Sequence, residues 1–167
     1  MAISVNEAKL EMALLNSNVI DLDQIDVFTR FTNFGLPSEI IFRLEELWEQ
    51  TKVVGGKLVH IGRIIINKIL SFIENNPNLA IGVALGAAIG ALVSAIPFLG
   101  PMLAPLSILL GAIFGGIVGS RLDREKKPVH WMEDISQEVI ILAKKFFEFF
   151  AAIFIAIKDD FNKSTHE

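Results

Sequence analysis

The sequence predicts an all-α protein, a membrane-embedded helical hairpin flanked by amphipathic helices. Three observations predict it. From Asn75 to Ser120 the chain runs forty-six residues without a charged side chain. Within that stretch Gly82, Gly86, Gly90 and Ser94 recur every four residues, and Ser107, Gly111, Gly115 and Gly119 repeat the spacing in mirror-image order about a centre between Gly100 and Pro101. On either side, apolar residues return at helical spacing among acids and bases, and no strand pattern stands out.

The elements follow in order. Residues 1–50 form an acidic helical region, with nine acids against three bases. Ile3, Val5, Ala8, Met12 and Leu15 mark a short first helix, which Asn16-Ser17-Asn18 is expected to break. A second helix is expected from Asp21 to Phe34, capped by Asp21 or Asp23. Gly35-Leu36-Pro37-Ser38 is a stop and restart: Gly ends one helix and Ser38 is expected to cap a long third one carrying Ile41, Leu44, Leu47 and Trp48. Gly55-Gly56 reads as a hinge, and residues 51–74 as a basic amphipathic helix with Leu58, Ile61, Ile65, Ile69 and Phe72 on one face. Lys57, Arg63 and Lys68 occupy much of the rest, as on a helix lying in the headgroup layer of an anionic bilayer; a helix burying its apolar side against a partner is the competing reading.

Residues 75–120 are the hairpin. Asn78–Ile96 and Met102–Ser120 hold nineteen residues each. At about 1.5 Å per residue each reaches roughly 28 Å, close to the ~30 Å hydrocarbon core of a bilayer. Pro97 and Pro101 fall in the bend, and Pro105 in the first turn of the second helix, where a missing N–H matters least. Glycine costs a helix about 1 kcal/mol against alanine. The mirrored stripes therefore imply a compensating gain, the close approach of two backbones in lipid. A second small-residue stripe, Ala80, Ala84 and Ala88, lies on the opposite face of the first helix, and Ala112, Gly116 and Ser120 form another on the second. These are expected to serve neighbouring hairpins, making the chain a homo-oligomer.

Beyond the hairpin, residues 121–132 read as a polar linker and 133–167 as an amphipathic, aromatic-rich helix. Lys144, Lys145 and Glu148 weigh against a third span over Val139–Ile157. Packing on the other amphipathic helices, or along the membrane face, is expected instead. The bases flanking the hairpin, with Arg121, Arg124, Lys126 and Lys127 after it and Trp131 at the interface, place both termini on the cytoplasmic side, in a bacterial inner membrane.

Enzyme chemistry finds no foothold. His60, His130 and His166 are scattered, there is no cysteine, and no nucleophile elbow or phosphate loop is present. No catalytic, cofactor-binding or metal-binding residues are expected: Asp159-Asp160 and Asp21/Asp23/Asp26 read as solvated helix ends. The basic flanks lack the density and aromatic interleaving of nucleic-acid binders.

The Gly82/Gly86/Gly90 and Gly111/Gly115/Gly119 hairpin resembles the glycine-zipper class of two-helix bacterial membrane domains. The layout of amphipathic helices around one uncharged hairpin is similar to that of pore-forming colicins and related helical toxins, in which soluble helices sheath a hairpin that inserts on contact with membrane. The resemblance implies a membrane-inserting, non-enzymatic protein that oligomerises to form or line a pore or conduit. The alternative is an anchor or scaffold whose residues 1–50 recruit a cytoplasmic protein partner.

Overall fold

The computed structural model describes residues 2–115 and 136–163. Three N-terminal helices come first: α1 (Val5–Val19), α2 (Gln24–Asn33) and α3 (Ser38–Trp48). A two-stranded hairpin follows, β1 (Lys52–Val54) and β2 (Lys57–Val59), then α4 (Ile61–Asn75) and α5 (Ile81–Ala95). A 3-10 turn, Pro97–Leu99, leads into α6 (Gly100–Leu110), which continues as a π-helical turn over Gly111–Gly115. The last elements are α7 (Gln137–Phe146), α8 (Glu148–Ala156) and α9 (Lys158–Lys163). The all-α class holds, with the small hairpin as its exception.

Local chemistry explains most boundaries. Ser4 caps α1, its Oγ accepting from the Glu7 N–H at 3.1 Å. Asp23, not Asp21, caps α2 by accepting from the Ile25 N–H at 3.0 Å. Gly35 closes α2 with φ +88°, a conformation that favours glycine. The expectation for Ser38 is corrected: Pro37 is the capping residue of α3, and its carbonyl accepts from the N–H groups of Ile40 and Ile41. Ser38 is already inside the helix and its hydroxyl donates to Glu39 Oε1 at 3.0 Å.

Four further expectations are corrected. Asn16-Ser17-Asn18 does not break α1, because the Asn16 side chain is used outside the helix: its Oδ1 accepts from the His60 N–H at 2.8 Å. Gly55-Gly56 is a hairpin turn rather than a helical hinge, and α4 begins only at Ile61. Both glycines have positive φ, +61° and +81°, as a tight two-residue hairpin turn demands. The third helix is not long, since it ends at Trp48. The C-terminal helix is not continuous, being interrupted at Phe147 and Ile157.

The uncharged segment also differs from its expected form. Among the described residues no single helix is long and apolar enough to cross a membrane. Ile81–Ala95 and Pro97–Ile113 reach that length only together, and the chain bends by 118° between them, well short of antiparallel reversal. The second helix starts two residues earlier than expected, so Pro105 lies inside α6 rather than in its first turn. Gly116, Gly119, Ser120, the linker at 121–132 with Arg121, Arg124, Lys126 and Lys127, and Trp131 lie outside the described residues.

Packing places α4 and α5 at the centre. α4 packs on α1, α3 and α5, while α5 packs on α4, α6, α7 and α8. Around them, α1 also meets α8, α3 meets α6, and α2 meets α3. No polar or charged side chain is buried among the described residues. Gly62 sets the tightest junction. A β-carbon there would meet the Leu47 carbonyl oxygen at 1.7 Å, and the Gly62 N–H donates to Gln50 O at 3.0 Å. The start of α4 is thereby pressed against the end of α3, backbone to backbone.

Candidate functional site

The feature that sets this chain apart is α5. It carries no charge, and from Ala84 to Leu92 nine consecutive residues are buried. An ordinary amphipathic helix buries one stripe, and a helix apolar all round must be covered on every side. Here the cover is supplied by α4, α6, α7 and α8.

A continuous line of aromatic rings fastens that cover. Phe72 on α4 meets Phe146 and Phe147 at 5.3 and 5.7 Å between ring centroids. Phe147 meets Phe150 at 6.3 Å, and Phe150 meets Phe154 at 4.9 Å. Phe154 reaches Phe161 at 6.2 Å, and Phe161 stacks on Phe98 in the bend at 5.0 Å. The tilted and edge-on geometries suit ring quadrupoles and add to the burial of the rings themselves. The C-terminal helices thus form a strap running from α4 to the bend beyond α5.

Polar ties hold the N-terminal helices to the same frame. The Arg30 guanidinium makes a two-pronged contact with the Glu74 carboxylate, through Nε to Oε2 at 2.9 Å and through its second nitrogen to Oε1. Lys9 pairs with Asp160 at 3.2 Å. These pairs are partly exposed, and such pairs contribute at most about 1 kcal/mol each.

The structure scatters the predicted small-residue positions between inside and outside. Gly86, Gly90 and Gly111 are buried and Gly82 half-buried; Ser107 is half-buried and Ser94 exposed. Gly115 closes the π-helical turn. Of the second stripe, Ala84 and Ala88 are fully buried within the chain, while Ala80 and Ala112 are exposed. The 118° bend between Ile81–Ala95 and Pro97–Ile113 is not the antiparallel reversal that the mirrored glycine stripes were expected to need. In this arrangement the chain's own helices cover Ala84 and Ala88, two of the four described positions expected to meet a neighbour.

The predicted membrane-surface bases have other occupations. Arg63 lies over the Trp48 ring at 5.2 Å and donates to the Ile20 carbonyl at 3.0 Å. Lys68 places its ammonium 4.6 Å above the Phe146 ring. Burial of that amine lowers its pKa from the ordinary 10.5. Lys57 is exposed, but on β2 rather than on a helix. Trp48 is itself buried, with an indole N–H that has no hydrogen-bond partner among the described residues. Sequence reading missed Gly62, whose signal was only a glycine near a helix start, and the hairpin, whose strands are too short to show alternation.

Among the described residues no three potential metal ligands come together. An open cavity of about 490 Å³ lies between α1 and the hairpin, and another of about 720 Å³ between α3 and Leu109 of α6. Comparison with protein-family models, curated proteins and solved structures finds no match. The class defined by the fold is a helical domain with an uncharged helix enclosed at its centre.

Proposed function

We propose that the chain is a membrane-inserting helical protein that carries its uncharged segment inside its own helices. Released into a bilayer, that segment oligomerises through its small-residue stripes to form or line a pore or conduit. The observation that carries this reading is α5: nine consecutive buried residues in a helix without any charge, within an uncharged stretch of forty-six. In water such a helix needs a cover on all sides, whereas in lipid it needs none. The covering helices lie both before and after it in the chain, so opening exposes α5 without unthreading it. Bilayer location with both termini cytoplasmic belongs to the same proposal, as does a non-enzymatic role.

A second reading is favoured by one observation. Between Leu79 and Gly119 the only polar side chains are Ser94 and Ser107, a poor lining for a water-filled lumen. The segment would then be an anchor, and the acidic helices would recruit a partner or build a scaffold.

Dye release from anionic vesicles, with oligomeric state measured in the same samples, separates the two. Ser94→Leu is the informative variant, because Ser94 belongs to the zipper register yet is exposed in the closed chain. Gly86→Leu would disturb the packed core as well. The pore reading expects release that rises with oligomer and falls with Ser94→Leu. Insertion without release at any protein-to-lipid ratio overturns it and leaves the anchor. Failure of the chain to enter any bilayer overturns both.

A further inference from the structure

The outer face of α3 is apolar at its middle and acidic around it. Phe42 is 56% exposed there. Its neighbours three and four positions along the helix include Glu39, Glu45 and Glu46, all exposed. Residues 38–49 hold four acids and one base. That base, Arg43, is already occupied: its guanidinium lies 5.8 Å from the centre of the Phe42 ring and pairs with Glu46 at 2.7 Å. Glu39, Glu45 and Glu49 make no ion pair with another described residue.

Beside its contact with α6, α3 borders the open groove of about 720 Å³. Leu36, Ile41, Phe42 and Leu109 line it, together with Glu39 and Glu45. The α6 wall is neutral, because that helix carries no charge, and Ile108 next to Leu109 is 72% exposed. One side of the groove is therefore apolar, and the other combines an aromatic ring with carboxylates.

This pattern selects its occupant. Apolar grooves of this kind take the apolar face of a helix, and acids along one side call for bases on the incoming chain. Arg43 shows the contact in miniature, a cation set over the Phe42 ring and held by a glutamate. The same acids oppose anionic lipid, and a two-fold contact of this face with a second copy would set acids against acids.

We propose that the groove between α3 and α6 receives a basic amphipathic helix of a partner protein. The apolar residues of that helix lie on Ile41, Phe42 and Leu109, and its Lys or Arg side chains meet Glu39 and Glu45. The inference deepens the reading in which the acidic helices recruit a partner, and rests on it.

The test titrates the full chain, without vesicles, into a fluorescein-labelled amphipathic peptide of leucine and lysine and reads anisotropy. A peptide of the same pattern with glutamate for lysine, and one of the same composition in scrambled order, are the controls. Phe42→Ser is expected to weaken binding of the leucine–lysine helix at least about tenfold. Glu39→Gln with Glu45→Gln is expected to weaken it about fivefold at low salt, a loss that shrinks as salt is added. Glu7→Gln with Glu11→Gln, which removes the same charge from α1, is expected to stay within about twofold. Since the chain has no cysteine, Ser38→Cys on the groove can carry a single polarity-sensitive fluorophore, whose emission should shift to the blue as peptide binds. No binding at about 1 mM peptide, equal binding of either control peptide, an unshifted fluorophore, or equal losses from the α1 and α3 pairs overturns the proposal. So does a concentration-dependent dimer, or binding to phosphatidylcholine vesicles, that Phe42→Ser abolishes while peptide binding persists; the face would then belong to a second copy or to lipid. Peptide binding by a chain that also releases dye keeps the groove and removes the anchor. Insertion without release and without peptide binding keeps the anchor and removes the groove.

Discussion

Gly62 sits against the Leu47 carbonyl so closely that a single added methyl would fall 1.7 Å from the oxygen. The obstacle is backbone on both sides, at the junction between α3 and α4, so no side-chain rotation relieves it. Gly62→Ala is expected to destabilise the fold by about 3 kcal/mol or more, the upper end for overpacking. Gly100→Ala is the control, since no described residue lies within 4 Å of its would-be β-carbon and its backbone is helical. It should be neutral or stabilising by up to about 0.5 kcal/mol. Urea unfolding of the two variants checks the contrast, and equal midpoints would remove the close-packing account.

The helix caps give a second contrast. Asp23 accepts from the Ile25 N–H at the start of α2, whereas the Ser38 hydroxyl turns to Glu39 and caps nothing. Asp23→Ala should cost about 1 kcal/mol, the usual value of a lost N-cap. Ser38→Ala should stay within about 0.5 kcal/mol, as surface changes do. A larger loss at Ser38 in the same unfolding assay would show that its hydroxyl serves the cap after all.

How far the sequence foretold these features depends on the range of the physics involved. Gly35 ended α2 as expected because a positive φ is a local demand that glycine meets alone. The uncharged segment was equally legible as composition, but its 118° bend and its enclosure by the chain's own helices were not. The hairpin was not, because Leu58, Ile61 and Ile65 also fit a helical period and strands of three residues show no alternation of their own. Nor could spacing reveal how Arg63 and Lys68 are used. Their positions between apolar residues suggested a lipid-facing surface, but Trp48 and Phe146 come from elsewhere in the chain. The same limit holds for Ala84 and Ala88. A small-residue stripe is compatible with a neighbour from another chain or from this one, and here their immediate surroundings are the chain's own helices.

The aromatic strap yields a prediction with opposite signs under the two views of α5. Phe147 is 1% exposed and touches the rings of Phe72, Phe146 and Phe150. Phe147→Ala should lower stability by about 3–5 kcal/mol, as large-to-small changes in a core do. If the strap keeps α5 from the bilayer, the same variant should insert into anionic vesicles faster than wild type at equal concentration. If α5 is only a core helix, the variant should lose structure and aggregate with no gain in insertion. Stopped-flow insertion kinetics beside a denaturation curve distinguish these outcomes.

Lys68 supplies a prediction in pH. Burial lowers its pKa from 10.5 in the folded chain, while in the unfolded chain it returns to the ordinary value. Below the folded pKa the amine is charged in both states, and the desolvation cost is present in full. Between the folded and unfolded values the unfolded chain holds a proton that the folded chain has released. The unfolded state then binds more protons, so this residue's contribution to stability rises with pH across that window. Lys68→Met has no such titration. The difference in unfolding free energy, wild type minus variant, should therefore be flat near neutral pH and climb towards wild type as pH approaches 10.5. Urea titrations at a series of pH values measure that difference, and a slope of zero or of the opposite sign would mean that the ammonium over Phe146 is as well solvated as in the unfolded chain.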